Sequence, residues 1–223
     1  MNLPNGAVAL FAFFLAFTTP SPPLPTAAVP DPLVQALTSV VRIRVSTGGV
    51  GSGVFITPQH ILTAYHVVDS GDISVEVFDY DEERSDFTGF AVFPARILFS
   101  NPEADRAVLV LDAAFPSAPI LPPATEDMLR RGAPLLRVGC AAALDPLHSR
   151  GELSDPNFLL DNGTRRIVAT LPTFFGDSGG PVFIVHDGRL YLVGVASAIA
   201  VSPMGAGVHL LFIVPLPAYP LES

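Results

Sequence analysis

The chain has 223 residues, 49% of them hydrophobic and 15% charged, which is enough apolar material for a substantial core and too much for a disordered chain. Twelve basic against 21 acidic residues leave a net charge of −9, and every basic residue is Arg; this balance excludes a generic nucleic-acid binder. A single cysteine, Cys140, excludes an internal disulfide, so packing alone must hold the fold.

From Ala7 to Phe17 the chain is continuously apolar. That length falls short of the ~20 residues of a membrane-spanning helix and suits the apolar region of an export signal. Small residues at Thr26, Ala27 and Ala28 offer a cleavage point. Residues 1–28 therefore read as a signal peptide or hydrophobic leader and the protein as exported, to a periplasm or the cell exterior. Membrane association through an uncleaved leader is the alternative. A Pro-rich spacer, 29–35, follows, and Leu33, Val34 and Leu37 fit a short helical pattern.

Beyond Val40 the apolar runs are brief and rich in Val, Ile and Phe, which predicts strands at 40–45, 53–57, 61–63, 73–80, 89–99 and 107–111. Pro116, Pro119, Pro122 and Pro123 cannot sit in a central strand and mark a link between halves. A second set of strands is predicted at 135–140, 158–160, 165–169, 180–186, 190–198 and 208–214, with a helical pattern only at 126–131. The expected organisation is all-β: one unit over 36–118, a linker at 119–126, a second unit over 127–217 and a tail at 218–223. Strands spaced this way by Gly and Pro point to closed barrels or a sandwich.

The densest chemical signal is the run from Phe175 to Pro181, Phe-Gly-Asp-Ser-Gly-Gly-Pro. Glycines around Ser178, just ahead of a strand, suit a hydroxyl on a sharp turn with backbone N–H groups free to face a developing oxyanion. A hydroxyl is a poor nucleophile near neutral pH and needs a base. His66, in Ile61-Leu62-Thr63-Ala64-Tyr65-His66-Val67-Val68, stands just past a strand end and is the candidate base. Asp105 opens the apolar strand that begins at Ala107 and is the candidate for fixing the imidazole; Asp86 and Asp112 are its rivals. His60, His148, His186 and His209 show no paired metal spacing and no HExxH or CxxC motif occurs, so no metal or cofactor is expected. Cys140, in an apolar run without a basic neighbour, reads as a buried inert thiol.

The segments GSGVFI, ILTAYHVV, ADRAVLVL and GDSGGPVF, in this order, resemble the chymotrypsin-fold serine peptidases, and the first three resemble the HtrA-like branch. The resemblance covers about residues 36 to 216. It implies two packed six-stranded antiparallel β-barrels with the active site in the cleft between them. Within it, Ser178 is the nucleophile, His66 the base and Asp105 the orienting carboxylate, with the N–H groups of Gly176 and Ser178 as oxyanion hole. The substrate pocket is implied at Pro172, Thr173, Ser197 and Ile199. Pro172 stands where trypsin-like pockets carry Asp, which argues against Arg or Lys before the cut, and Ile199 stands where many relatives have Gly, which narrows the entrance. A peptide or protein cleaved after a small or medium apolar residue is the expected substrate. The chain departs from the digestive relatives in having no basic-residue-linked IVGG-like segment before Val40, and from the HtrA-like ones in Asp177, where they usually carry Asn. No partner for Asp177 is evident. Two other functions share these residues: a binding module that keeps the double barrel without turnover, and an esterase using the same acyl chemistry.

Overall fold

The computed structural model describes residues 31–201 and 207–216, and side chains at 31–198 and 210–216. The leader expected at 1–28 and the tail at 218–223 lie outside the described residues. A short helix, α1 (Pro32–Thr38), opens the described chain. Asp31 caps it, accepting the Leu33 N–H at 2.8 Å, and Pro32 supplies a fixed φ in the first turn.

Two closed antiparallel barrels follow. The first consists of β1 (Val40–Val45), β2 (Val50–Phe55), β3 (His60–Thr63), β4 (Ile73–Asp81), β5 (Asp86–Asn101) and β6 (Arg106–Leu111), in spatial order β1-β2-β3-β6-β5-β4. The second consists of β7 (Pro134–Gly139), β8 (Leu147–Leu159), β9 (Arg165–Thr170), β10 (Pro181–His186), β11 (Arg189–Val201) and β12 (Gly207–Pro215), in order β10-β11-β12-β9-β8-β7. Closure removes the sheet edges that an open arrangement of such apolar strands would expose.

The period of two along each strand divides the apolar residues among three clusters. Val41 and Ile43 of β1 fill the first barrel with Phe55, Ile61 and Leu109, and Ile167 and Ala169 of β9 fill the second with Leu153 and Ile213. Residues of the opposite parity form the seam: Val40, Val54 and Leu62 from the first barrel meet Leu136, Val138 and Phe183 from the second. The same alternation sends Arg42, in step with Val40, outward from β1 toward the second barrel, and Arg137, in step with Leu135, into the second barrel's interior. Both are buried.

Two expectations change. Residues 126–131 form turns and no helix, with Met128 N–H bonded to Thr125 and Leu129 N–H to Glu126. Pro122 and Pro123 before the segment and Gly132 after it leave too few residues to propagate a helix. Strand β8 is also far longer than the predicted 158–160. Its residues are mostly polar and include Gly151 and Pro156, and its only buried side chain is Leu153. Pro156 is tolerated because the pairing with β9 slips between Asp155 and Phe158. The linker itself is docked along β11: Ala124 N–H donates to Leu192 O at 2.8 Å and Leu192 N–H to Pro122 O at 2.7 Å.

Candidate active site

After β3 the chain makes one 3-10 turn, Tyr65–Val67, which carries His66 to the rim of the first barrel. Asp105 stands one residue before β6, with φ 51° in the left-handed region that aspartate tolerates better than most residues. A turn holds it there: Ala104 N–H donates to Asn101 Oδ1 at 2.9 Å and Asp105 N–H to Pro102 O at 3.1 Å. The carboxylate is thereby aimed at His66. Oδ1 accepts the backbone N–H of His66 at 3.0 Å, and Oδ2 lies 2.9 Å from the ring Nδ1. Ser197 Oγ, from β11 of the other barrel, donates to the same Oδ2 at 2.5 Å. Asp86 instead accepts the N–H of Phe87 at the start of β5, so Asp105 is the aspartate brought to the imidazole.

Burial opposes ionisation of Asp105, but hydrogen bonds from His66 and Ser197 outweigh it and hold the carboxyl below its usual range. At His66 the bond to Asp105 exceeds the opposing desolvation, and the imidazole is lifted above its ordinary 6.5. With Nδ1 engaged by a carboxylate, Nε2 is the nitrogen left to exchange protons with a neighbour in the cleft.

The opposite wall is the turn between β9 and β10. Gly176 has φ 97°, and a Cβ there would strike the carbonyl of Cys140, so no other residue fits. Each carbonyl along this turn is pinned. Phe175 O accepts from Ala142 N–H at 2.7 Å, Gly176 O from Ser52 Oγ at 2.7 Å, Asp177 O from Gly180 N–H at 2.9 Å and Ser178 O from Ser52 N–H at 2.7 Å. In a planar trans peptide the N–H points opposite to its carbonyl. Fixing Phe175 O and Asp177 O thus turns the N–H groups of Gly176 and Ser178 the other way. Neither has an acceptor among the described residues. Two spare backbone donors beside a serine are what a developing oxyanion requires. Ser178 Oγ itself has no hydrogen-bond partner among the described residues, His66 included; such contacts commonly tighten only once substrate is bound.

Asp177, whose partner the sequence did not reveal, is fully buried and forms an ion pair with Arg137 inside the second barrel. Its other oxygen, Oδ2, accepts Phe174 N–H at 2.7 Å. The guanidinium also donates through Nε to Ser149 Oγ at 3.0 Å and to Pro172 O at 3.1 Å, tying strand β7 to the start of the serine turn. Burial pushes the Asp177 carboxyl up against the pull of Arg137, and the Cys140 thiol nearby to about 12. Cys140 is therefore a protonated, inert side chain near neutral pH.

His66, Thr173, Gly176, Ser178, Ser197 and Leu211 line one cleft of about 430 Å³. Of the residues expected in the substrate pocket, Thr173 and Ser197 face this space. Pro172 is not among the residues that line it, and its carbonyl accepts from Arg137 Nε and Ser149 Oγ. Ser197 has a second role that its position on a pocket strand did not suggest, as a donor to Asp105. The backbone of Ile199 pairs with Leu211, and its side chain lies outside the described residues. At the lip, Phe174 is 63% and Phe175 91% exposed.

This double barrel, with a serine turn facing a carboxylate-bound histidine, has known counterparts. The family model described as a trypsin-like peptidase domain matches residues 51–195, and the chain belongs to that family, the chymotrypsin-fold serine peptidases. No curated protein matches the sequence. Solved structures that share the fold include the following three. The Rv3671c protease, in an inactive form, is 21% identical over 82% of this chain and 86% of its own, with a TM-score of 0.64. The MamO protease domain of Magnetospirillum magneticum, in its apo form, is 24% identical over 81% and 93%, with a TM-score of 0.62. An HtrA-type protease, AlgW, solved with a tripeptide, is 22% identical over 83% of this chain and 58% of that one, with a TM-score of 0.68. At these identities the likeness is one of fold.

Proposed function

We propose that the protein is a serine endopeptidase of the HtrA-like branch that cleaves peptide bonds through an acyl-enzyme. The observation that carries this reading is the pairing of a carboxylate-bound His66 with the backbone N–H groups of Gly176 and Ser178, which have no acceptor among the described residues, on opposite walls of one cleft. In the first step Ser178 Oγ attacks the scissile carbonyl while His66 Nε2 takes its proton, and Asp105 stabilises the imidazolium at Nδ1. The carbonyl oxygen, now an oxyanion, is held by the N–H groups of Gly176 and Ser178. His66 returns the proton to the leaving amine, and water, activated by the same imidazole, hydrolyses the acyl-enzyme.

The cleft wall supports a small or medium apolar residue before the cut. On the side of the serine turn, Thr173, Ala198 and Leu211 offer no carboxylate to an Arg or Lys side chain; the carboxylate that lines the cleft, Asp69, stands on the first-barrel side near His66. One methylene is worth about 1–3 kcal/mol in such a pocket, so selectivity among apolar residues is modest. The apolar leader at 7–17 supports export, with peptide or protein substrates met outside the cytoplasm.

A fluorophosphonate probe tests the reading, with the label located by peptide mass spectrometry. Labelling at Ser178, its loss in Ser178→Ala, and a fall in peptide turnover on the order of 10⁴-fold or more with an unchanged unfolding midpoint are the expected results. A folded parent that neither labels nor hydrolyses peptides is a binding module instead. Hydrolysis of esters alone makes it an esterase.

A further inference from the structure

The first barrel's contribution to the site extends beyond His66 and Asp105. Arg42 on β1 is directly opposite Glu76 on β4, and both are buried. The Glu76 carboxylate binds Arg42 Nε through Oε2 and Arg44 Nε through Oε1, the latter at 2.6 Å. Above the guanidinium lie the rings of Phe78 and Phe90, with centroids 5.0 and 5.1 Å from Cζ. So restrained, Arg42 has one direction left to donate: Nη1 crosses the seam and reaches Ala143 O at 2.9 Å, with the Asp145 carboxylate at 3.4 Å.

The segment it meets is strained. Ala142 and Ala143 have φ of 53° and 60°, a conformation unfavourable for a non-glycine residue that persists only where the surroundings impose it. Ala142 N–H, presented by this strained turn, donates to Phe175 O and so orients the peptide whose N–H belongs to Gly176. The path has three links: Glu76 fixes Arg42, Arg42 fixes the 141–143 turn, and that turn fixes the Gly176 donor. Ser52 Oγ completes the support from the same barrel, accepting Cys140 N–H at 2.8 Å and donating to Gly176 O at 2.7 Å.

The geometry points to Arg42 as a positioning residue for the oxyanion hole, acting across the barrel seam through the strained alanine turn. This rests on the peptidase reading for its catalytic consequence, while the structural claim stands without it. Removing Arg42 alone leaves the buried Glu76 with the half-exposed Arg44 as its counter-ion and strips it of the buried one, so the informative variant is Arg42→Met with Glu76→Met, which removes both buried charges and leaves apolar volume. Arg42→Lys keeps a cation beside Glu76 but loses the fork that binds Glu76 and Ala143 together.

The experiment measures peptide hydrolysis and, on the same full-length proteins, amide hydrogen exchange at Ala142 by NMR. In the double variant kcat should fall about 10- to 100-fold with KM within about threefold, a fraction of the ~10²- to 10³-fold cost of losing a hole donor outright. Ala142 exchange should accelerate tenfold or more, with Arg42→Lys intermediate in both. Unchanged kcat and exchange in either folded variant overturn the proposal. A rise in KM with kcat preserved also overturns it, because Arg42 then serves substrate binding. If the parent hydrolyses nothing, the peptidase reading fails, and the exchange rates of Ala142 still decide the positioning claim.

Discussion

The two walls of the cleft are held by opposite kinds of force. On the first barrel, the His66 side chain is 46% exposed and its partner Asp105 17%, joined by hydrogen bonds at the water's edge. On the second barrel, the serine turn is anchored by Arg137 and Asp177, whose side chains are 3% and 0% exposed. The difference fits what each wall must do in the proposed mechanism. A group that gives and takes protons must stay in reach of substrate and solvent, whereas a turn whose backbone donors must not move is best fixed by charges that cannot be solvated any other way. Wet chemistry is thus mounted on one barrel and dry geometry on the other.

That contrast breaks most sharply at Asp105. Changing Asp105→Asn removes the charge that supports the imidazolium, yet Asn also tolerates a left-handed backbone, so the turn survives. A fall in kcat/KM on the order of 10⁴-fold with only a modest drop in the unfolding midpoint, from the lost charge, is expected from steady-state kinetics and calorimetry. On the dry wall the order reverses. Arg137→Met leaves Asp177 buried without its counter-ion and should cost about 3–5 kcal/mol in denaturant unfolding. Adding Asp177→Asn, which can still accept the Phe174 N–H, should recover most of that loss. An Arg137→Met single variant as stable as the parent would show that the pair does not anchor the turn.

The smallest effect sharpens the comparison through pH. Because His66 is raised above 6.5, the acid limb of kcat/KM should have its midpoint above 6.5 and should move down in Asp105→Asn, where the chief cause of the shift is gone. The same raised value makes the native protein hold a proton that the unfolded chain has released. His66 therefore adds stability that is complete below about 6.5 and is lost as pH rises through its folded value. Asp105, held low, adds stability above its ordinary range that is lost on acidification. Unfolding midpoints of the parent and His66→Gln, compared between pH 5 and 9, should converge as pH rises.

The three residues of the candidate site were legible because each lies in a short segment whose local pattern is self-sufficient: a strand end before His66, a turn before Asp105, glycines around Ser178. What supports them was not, because it is long-range. Arg137 stands 40 residues before Asp177, in the run Leu135-Leu136-Arg137-Val138. Its signal was nonetheless present, since a lone Arg in a buried apolar strand must find an acid. Arg42 and Glu76 face each other only through the pairing of β1 with β4, a register that no local pattern reveals. Ser197 was marked for the pocket by its strand, but its hydroxyl serves Asp105 across the cleft. Strand β8 was hidden by composition: with one buried side chain, it is fixed by the ladders of β7 and β9 and not by its own hydrophobicity.

The exposed ring of Phe175 has an optical consequence. Among 223 residues there is no Trp, so the protein has no indole emission of its own. A tryptophan placed at Phe175, one residue from the Gly176 donor, would be the sole indole in the molecule, facing water when the cleft is empty. Its emission would shift to shorter wavelength as a peptide covers the lip, reporting occupancy of the site in real time and separately from any bond that is cut.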